Sequence, residues 1–230
     1  MHHMLALLAA LPTIIDFSPF PATSYPDYPS KDCQEAWKWE IYAFNCAPEV
    51  ALFFSYLQRE YKIDTAIETG TYNGSTTEIL SLFFKTVHKM QLDPGLYESS
   101  KKRLGNLESI QFHLGNSPEI LPTILPSLNG KRLFFYLDAH GNSDYWPLLD
   151  ELEEISRTHR DNCIIAIDDF QVPGRRDIPY DSYGNNSCSL GYIEQKLNKI
   201  FSSYTVHYII PKSVLSKAKL VVLPRNWKTE

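Results

Sequence analysis

The 230-residue chain has no extended block of Lys or Arg, no Cys-x-x-Cys pair, no Gly-Lys-Ser/Thr and no Gly-x-Gly-x-x-Gly. Each absence closes a class. Lys+Arg number 22 against 27 Asp+Glu, giving a net charge of −5, so a polyphosphate surface would gain little, and nucleic acid is not expected as a partner. Without the two glycine signatures, a phosphate-binding P-loop and a dinucleotide fingerprint are not expected. The four cysteines, Cys33, Cys46, Cys163 and Cys188, lack the spacing of a zinc site. Cys33 and Cys46 lie at the two ends of one expected helical stretch, which favours reduced thiols and a cytoplasmic setting over a bridge between them. No apolar run reaches the roughly 18 residues of a membrane-spanning helix, so no membrane partner is expected. The longest, residues 4–15, contains Pro12 and has no preceding Lys or Arg; it reads as a docked helix rather than a signal-peptide core. Glycine and proline are too few, at 10 and 15, for a fibrous or low-complexity chain.

What is present is an ordinary globular composition, 43% hydrophobic and 21% charged, with 14 Tyr, 12 Phe and 4 Trp. That is enough apolar material for a core and an aromatic-lined pocket. Residues 17–30 hold four prolines and read as an irregular arm. Helices are expected over 34–44 and 48–61. From Asp64, short apolar runs at 65–68, 87–92, 110–114, 133–137 and 163–167 alternate with amphipathic stretches at 75–84, 94–104, 118–128 and 145–157. That rhythm predicts a parallel sheet with helices on both faces. After a helix at 190–201, two strands at 204–210 and 219–223 are too close for a parallel crossover and must pair antiparallel. The expected fold is therefore a three-layer α/β/α, Rossmann-like sheet of five parallel strands plus a C-terminal β-hairpin. Residues 1–62 form an arm and helices, and 63–230 form the main domain.

In such sheets, ligands bind beyond the carboxyl ends of the strands. The first strand runs into Glu68-Thr69-Gly70-Thr71-Tyr72-Asn73-Gly74-Ser75, whose glycines permit a tight turn and close backbone approach. The following helix is expected to aim free N–H groups at a ligand. The fourth strand ends in Asp138-Ala139-His140, and the fifth in Asp168-Asp169. Buried carboxylates in this number need cations, and an oxygen-rich set suits Mg²⁺. Asp168 and Asp169 can converge only if the backbone turns where the strand ends. The alternative is that they cap the strand and pair with Arg175 or Arg176.

On the acidic-x-Gly-x-x-x-Gly-Ser/Thr pattern and this strand order, residues 63–224 resemble the class I S-adenosylmethionine-dependent methyltransferases. With Pro173-Gly174 after the second acidic pair, they resemble the divalent-metal-dependent O-methyltransferases, the second Asp favouring the macrocin over the catechol branch. The resemblance implies that Glu68, Gly70, Thr71, Tyr72, Gly74 and Ser75 surround the methionine part of S-adenosylmethionine. It implies ribose recognition by Gln91, where the family usually has a carboxylate, or by Asp93. Asn116 and Ser117 fall where the family meets adenine; Ser117 also reads as a helix N-cap. Asp138 borders the cofactor and, with Asp168 and Asp169, forms the implied Mg²⁺ triad. His140 is the candidate general base, with metal ligation or a structural hydrogen bond as its other roles and Asp144 in reserve. His88, His113 and His207 read as structural. Residues 171–188, with Arg175, Arg176, Tyr180 and Tyr183, are long enough for a substrate lid. The implied activity is O-methylation of a small sugar, polyol or phenol. Metal-independent transfer or a non-catalytic cofactor-binding module is the alternative, and a homo-oligomer through the N-terminal arm is an expected assembly.

Overall fold

A computed structural model describes residues 13–16, 43–141, 145–212 and 216–227. The described elements run β1 (Thr13–Asp16), a 3₁₀ turn (Ala43–Asn45), α1 (Pro48–Glu60), β2 (Thr65–Thr69), α2 (Ser75–Leu80), β3 (Thr86–Gln91), α3 (Pro94–Leu104), β4 (Ile110–Leu114), α4 (Ser117–Ile124), a 3₁₀ turn (Leu125–Leu128), β5 (Leu133–Leu137), α5 (Leu148–Thr158), β6 (Cys163–Ile167), the short hairpin β7 (Ser182–Tyr183) and β8 (Asn186–Ser187), α6 (Leu190–Ile200), β9 (Tyr204–Ile210) and β10 (Lys219–Pro224). Eight strands form one sheet in the order β1-β9-β10-β6-β5-β2-β3-β4. Strands β2 to β6 are mutually parallel. β10 runs antiparallel to both β6 and β9. The expected sheet and closing hairpin are therefore present, with β10 inserted between β6 and β9.

The central strands β2, β5 and β6 are buried along their whole length, as parallel strands covered on both faces must be. Alternate side chains feed two cores. Ile67, Phe135 and Ile165 pack with Leu121 of α4, Leu152 of α5 and Leu197 of α6. Ala66, Phe134 and Ile164 pack with Phe54 and Leu57 of α1 and Leu80 of α2. The second face also carries Glu68, Tyr136 and Ala166, which are register partners across β2, β5 and β6.

Several expectations change. Thr13–Asp16 is a strand rather than the end of a docked helix, and it pairs parallel with β9. Three β-branched or extended-favouring residues after Pro12 account for that. Of the helix expected at 34–44, only residues 43 and 44 are described, inside a 3₁₀ turn where Phe44 has φ 50°. The helix expected over 118–128 is α until Ile124 and 3₁₀ afterwards. Pro126 has no N–H with which to continue the α pattern. α5 starts at Leu148, after Pro147, and α2 stops at Leu80. The cysteines are not all reduced: Cys46 is disulfide-bonded, whereas Cys163 and Cys188 are free and buried. Among the described residues, no helix is long and apolar enough to cross a membrane.

Candidate active site

The order β3-β2-β5-β6 reverses chain direction of assembly between β2 and β5, the switch point where open α/β sheets leave a crevice. The tips of β2 and β5 meet there. Asp138 N–H donates to the Thr69 carbonyl at 3.2 Å. Gly70, at φ +73°, lies so close to β5 that a Cβ would overlap the Asp138 carbonyl oxygen and sit 2.6 Å from Ala139 Cα. Only glycine fits that contact. Gly74, at φ +85°, faces Leu104 and Ser100 of α3. The turn between them is tied by Thr71, whose hydroxyl donates to the Met90 carbonyl at 2.8 Å. Asn73 Oδ1 accepts from both Ser75 N–H (3.1 Å) and Ser75 Oγ (2.8 Å). The free N–H expected at the start of α2 is thus taken locally at Ser75.

Two cavities open on this turn. One, about 480 Å³, is lined by Gly70, Tyr72, Gln91, Asp93, Asn116, Ser117, Asp138, His140 and Tyr145. The other, about 290 Å³, is lined by Glu68, Gly70, Thr71, Ser75, Tyr136, Asp138, His140 and Asp168, with Phe44 and Asn45 from the first 3₁₀ turn. They share Gly70, Tyr72, Asp138 and His140 and so meet at the β2–β5 junction. The larger falls in the size range of small-molecule sites. Every residue expected around the cofactor lines one or both, except Gly74, which supports the turn from behind.

The side chains there are partly committed already. Gln91 Oε1 accepts from Asp93 N–H at 3.0 Å. Asp93 caps α3, accepting from Leu96 N–H at 2.8 Å. Asn116, not Ser117, is the N-cap of α4. Ser117 Oγ instead donates to the buried Glu151 carboxylate, which turns the serine away from the capping role. Glu151 has its pKa pushed up to about 7 by burial, and its Oε2 has no hydrogen-bond partner among the described residues. Glu68, 1% exposed, accepts from Thr77 Oγ1. Burial raises its pKa to about 7 against the opposing pull of that hydrogen bond and of Lys89, its register partner on β3.

At the tips of β5 and β6 the acids are gathered as the strand ends predict. Asp169 turns the backbone at φ 53°. Their partners are lysines, not arginines. Asp168 Oδ1 lies 2.5 Å from Lys219 Nζ, a lysine with no exposed surface. The same oxygen accepts from Asp169 N–H at 2.7 Å, and Oδ2 accepts from Tyr136 OH at 2.5 Å. Burial raises the Asp168 pKa, but the Lys219 charge and these hydrogen bonds outweigh it and hold the carboxyl below its usual range. Asp169 Oδ2 accepts from Lys217 Nζ at 2.9 Å; burial and the Asp168 charge push its pKa up to about 6. Asp138 is raised by burial and by the charges of Asp168 and Asp169. Arg175 pairs with Asp177 instead, through Nη2 at 2.7 Å.

His140 meets this cluster from the β5 side. Its Nδ1 is 3.0 Å from Asp181 Oδ2 and 2.9 Å from Tyr183 OH, and its Nε2 is 3.5 Å from Asp138 Oδ1. The Asp181 hydrogen bond raises its pKa, against the effect of burial. Asp144 lies outside the described residues. His88 and His113 stack on each other across β3 and β4, away from this site, with ring nitrogens 3.1 Å apart.

These neighbours decide how well Mg²⁺ fits the Asp138, Asp168 and Asp169 triad. Mg²⁺ needs several open oxygens in near-octahedral array. Asp168 already gives both oxygens to Lys219, Tyr136 and a backbone N–H, and two ammonium groups supply the positive charge. The triad does not fit the ion. Among the described residues, the atoms that do converge within 4.8 Å belong to His140, Asp169 and Asp181.

No protein-family model matches the chain, and no curated protein is a recognisable relative. Solved structures do match. The O-methyltransferase TomG from Streptomyces achromogenes, involved in tomaymycin synthesis and solved with S-adenosylmethionine, superposes with a TM-score of 0.62 at 14% identity, covering 88% of this chain and 92% of that one. An O-methyltransferase from Bacillus cereus, in complex with S-adenosylhomocysteine, superposes at 0.59 with 16% identity, covering 83% and 87%. The chain has the fold of the class I S-adenosylmethionine-dependent methyltransferases. Within this methyltransferase fold, sequence reasoning missed Tyr136, Asp181, Lys217 and Lys219. Tyr136 carried a signal, since it stands two residues before Asp138 and so shares its strand face. The lysines carried none that could be read without knowing that β10 inserts beside β6.

Proposed function

We propose that the chain is an S-adenosylmethionine-dependent O-methyltransferase acting on a small hydroxylated acceptor, with His140 as general base. The observation that carries this reading is the junction itself: a glycine-lined turn and a histidine–carboxylate pair open on adjoining cavities at the switch point of the sheet. S-adenosylmethionine, when bound, supplies an electrophilic methyl group on a sulfonium. The residues fit that ligand. Glu68 and Asp138 line the smaller cavity beside the glycine turn, and a cationic ligand there favours their ionised forms. Gln91, Asp93, Asn116 and Ser117 offer hydrogen-bonding groups to ribose and base in the larger cavity.

His140 does the proton chemistry. With Nδ1–H donated to Asp181, the lone pair of a neutral imidazole stands on Nε2, on the side of Asp138 and the cavities. That nitrogen takes the proton of an acceptor hydroxyl as the oxygen becomes nucleophilic, and Asp181 steadies the imidazolium that forms. Tyr183 OH donates to the same Asp181 oxygen, Oδ2, at 2.9 Å. Residues 171–188 therefore carry the orienting carboxylate, and Asp181 and Tyr183 line a small cleft together with Asp138 and His140.

The test is transfer of labelled methyl from S-adenosylmethionine to a panel of catechols, polyols and sugars, with native protein and His140→Ala. Replacement of a general base lowers the rate by about 10²–10⁴-fold while leaving S-adenosylhomocysteine affinity within a few-fold. Equal turnover by the variant would remove His140 from the mechanism.

A further inference from the structure

We infer that Lys217 is the resident cation of this site: its ammonium holds the place at His140, Asp169 and Asp181 that a divalent ion would otherwise take. The inference rests on the site assignment above, but concerns occupancy rather than methyl transfer. The three side chains offer one nitrogen and two carboxylate oxygens within 4.8 Å of one another, a set that would serve Mn²⁺ or Zn²⁺. Lys217 Nζ bridges the two carboxylates, donating to Asp169 Oδ2 at 2.9 Å and to Asp181 Oδ1.

The lysine is placed there by the fold. Its carbonyl oxygen accepts from Lys219 Nζ at 3.0 Å, so the buried lysine that neutralises Asp168 also anchors the backbone of the lysine that neutralises Asp169. Asp181 is fixed independently, its N–H donating to the Asp169 carbonyl at 3.0 Å. A second observation points to a ligand. Asp169 is 6% exposed, and its Oδ1 is buried with no hydrogen-bond partner among the described residues. A buried carboxylate oxygen left unpaired is costly, and a cation with more coordination positions than an ammonium would use it. The ammonium itself has three donors, of which two are spent on the carboxylates.

The consequence is a site that excludes divalent ions while Lys217 is present and collects them when it is gone. The experiment is thermal denaturation of the full chain with MnCl₂, MgCl₂ or EDTA, for native protein, Lys217→Ala, Lys217→Met and Lys217→Arg, supported by Mn²⁺ electron paramagnetic resonance. A ligand bound only by the folded state raises Tm. Native protein and Lys217→Arg are expected to shift by less than about 1 °C, and the two neutral variants to gain about 3 °C or more with Mn²⁺. The Met variant keeps the aliphatic stem should the Ala variant fail to fold. A Mn²⁺-dependent rise in native protein overturns the inference, as does the absence of any rise in both neutral variants. An S-adenosylhomocysteine arm in the same assay reports the cofactor site separately, so failure of one reading is distinguishable from failure of the other.

Discussion

Glu68 at the tip of β2 and Asp168 at the tip of β6 point from the same face of one sheet, 1% and 5% exposed, and they titrate in opposite directions. Glu68 has a hydroxyl partner and a charge on the neighbouring strand, and burial prevails, taking its pKa to about 7. Asp168 has an ammonium in direct contact and a tyrosine hydroxyl on its other oxygen, and the partners prevail. In a dry site, the contact partner rather than burial decides which protonation state persists. The cavity thus joins one acid that is poised near neutrality to one that stays ionised.

The largest break in that contrast is Lys219→Met. Removing one member of a buried ion pair leaves an uncompensated charge, so the variant should lose about 3–5 kcal/mol of stability. The Lys219→Met/Asp168→Asn double variant should recover a large part of it, read as urea midpoints. If the single variant is as stable as native protein, Asp168 is not held by Lys219.

A smaller effect is expected at Glu68. Its folded pKa is raised above 4.5, so the folded state binds more protons in the window from about pH 5 to pH 7, and native stability falls as pH rises through it. Glu68→Gln keeps an acceptor for Thr77 without titrating. It should therefore gain on native protein between pH 5 and pH 8, on the order of 2 kcal/mol. Parallel stability–pH curves for the two proteins would show that Glu68 titrates normally.

The smallest effect sharpens the role of the loop. His140 is faced by the carboxylates of Asp181, Asp138, Asp168 and Asp169 and by the Tyr183 hydroxyl. Its pKa is raised chiefly by Asp181, so Asp181→Asn should move the acidic limb of the kcat/KM profile to lower pH and reduce the plateau by about 10-fold. An unmoved limb would mean that Asp181 does not orient the base.

The two ends of the cavity also differ in how much the sequence disclosed. Periodicity located each central strand, and β4, β5, β6 and β9 begin and end where the apolar runs do. The Gly70–Gly74 turn was legible because its requirement is local: positive φ and close backbone approach can be met only by glycine, and both glycines stand within one turn. The acids at Asp138, Asp168 and Asp169 were legible as strand-end residues for the same reason. Their cations were not. Lys217 stands 48 residues from Asp169, and only the insertion of β10 between β6 and β9 brings it there. A search for nearby basic residues finds Arg175 first, yet Arg175 is closed on Asp177. Phe44 shows the same limit on the other side. It reaches the smaller cavity through a left-handed backbone and packs on Tyr136 at 5.5 Å, a placement that helical periodicity does not foresee.

The claim on which the rest depends is that the β2–β5 junction is a cofactor site, and calorimetric titration of S-adenosylhomocysteine into native protein and Gly70→Ala tests it most directly. At Gly70 any Cβ collides with the β5 backbone, so the account predicts saturable binding with a micromolar-range Kd for native protein and a loss of about 100-fold or more for the variant, with circular dichroism showing both folded. Absence of binding by native protein at millimolar ligand, or unchanged affinity in the variant, would contradict it.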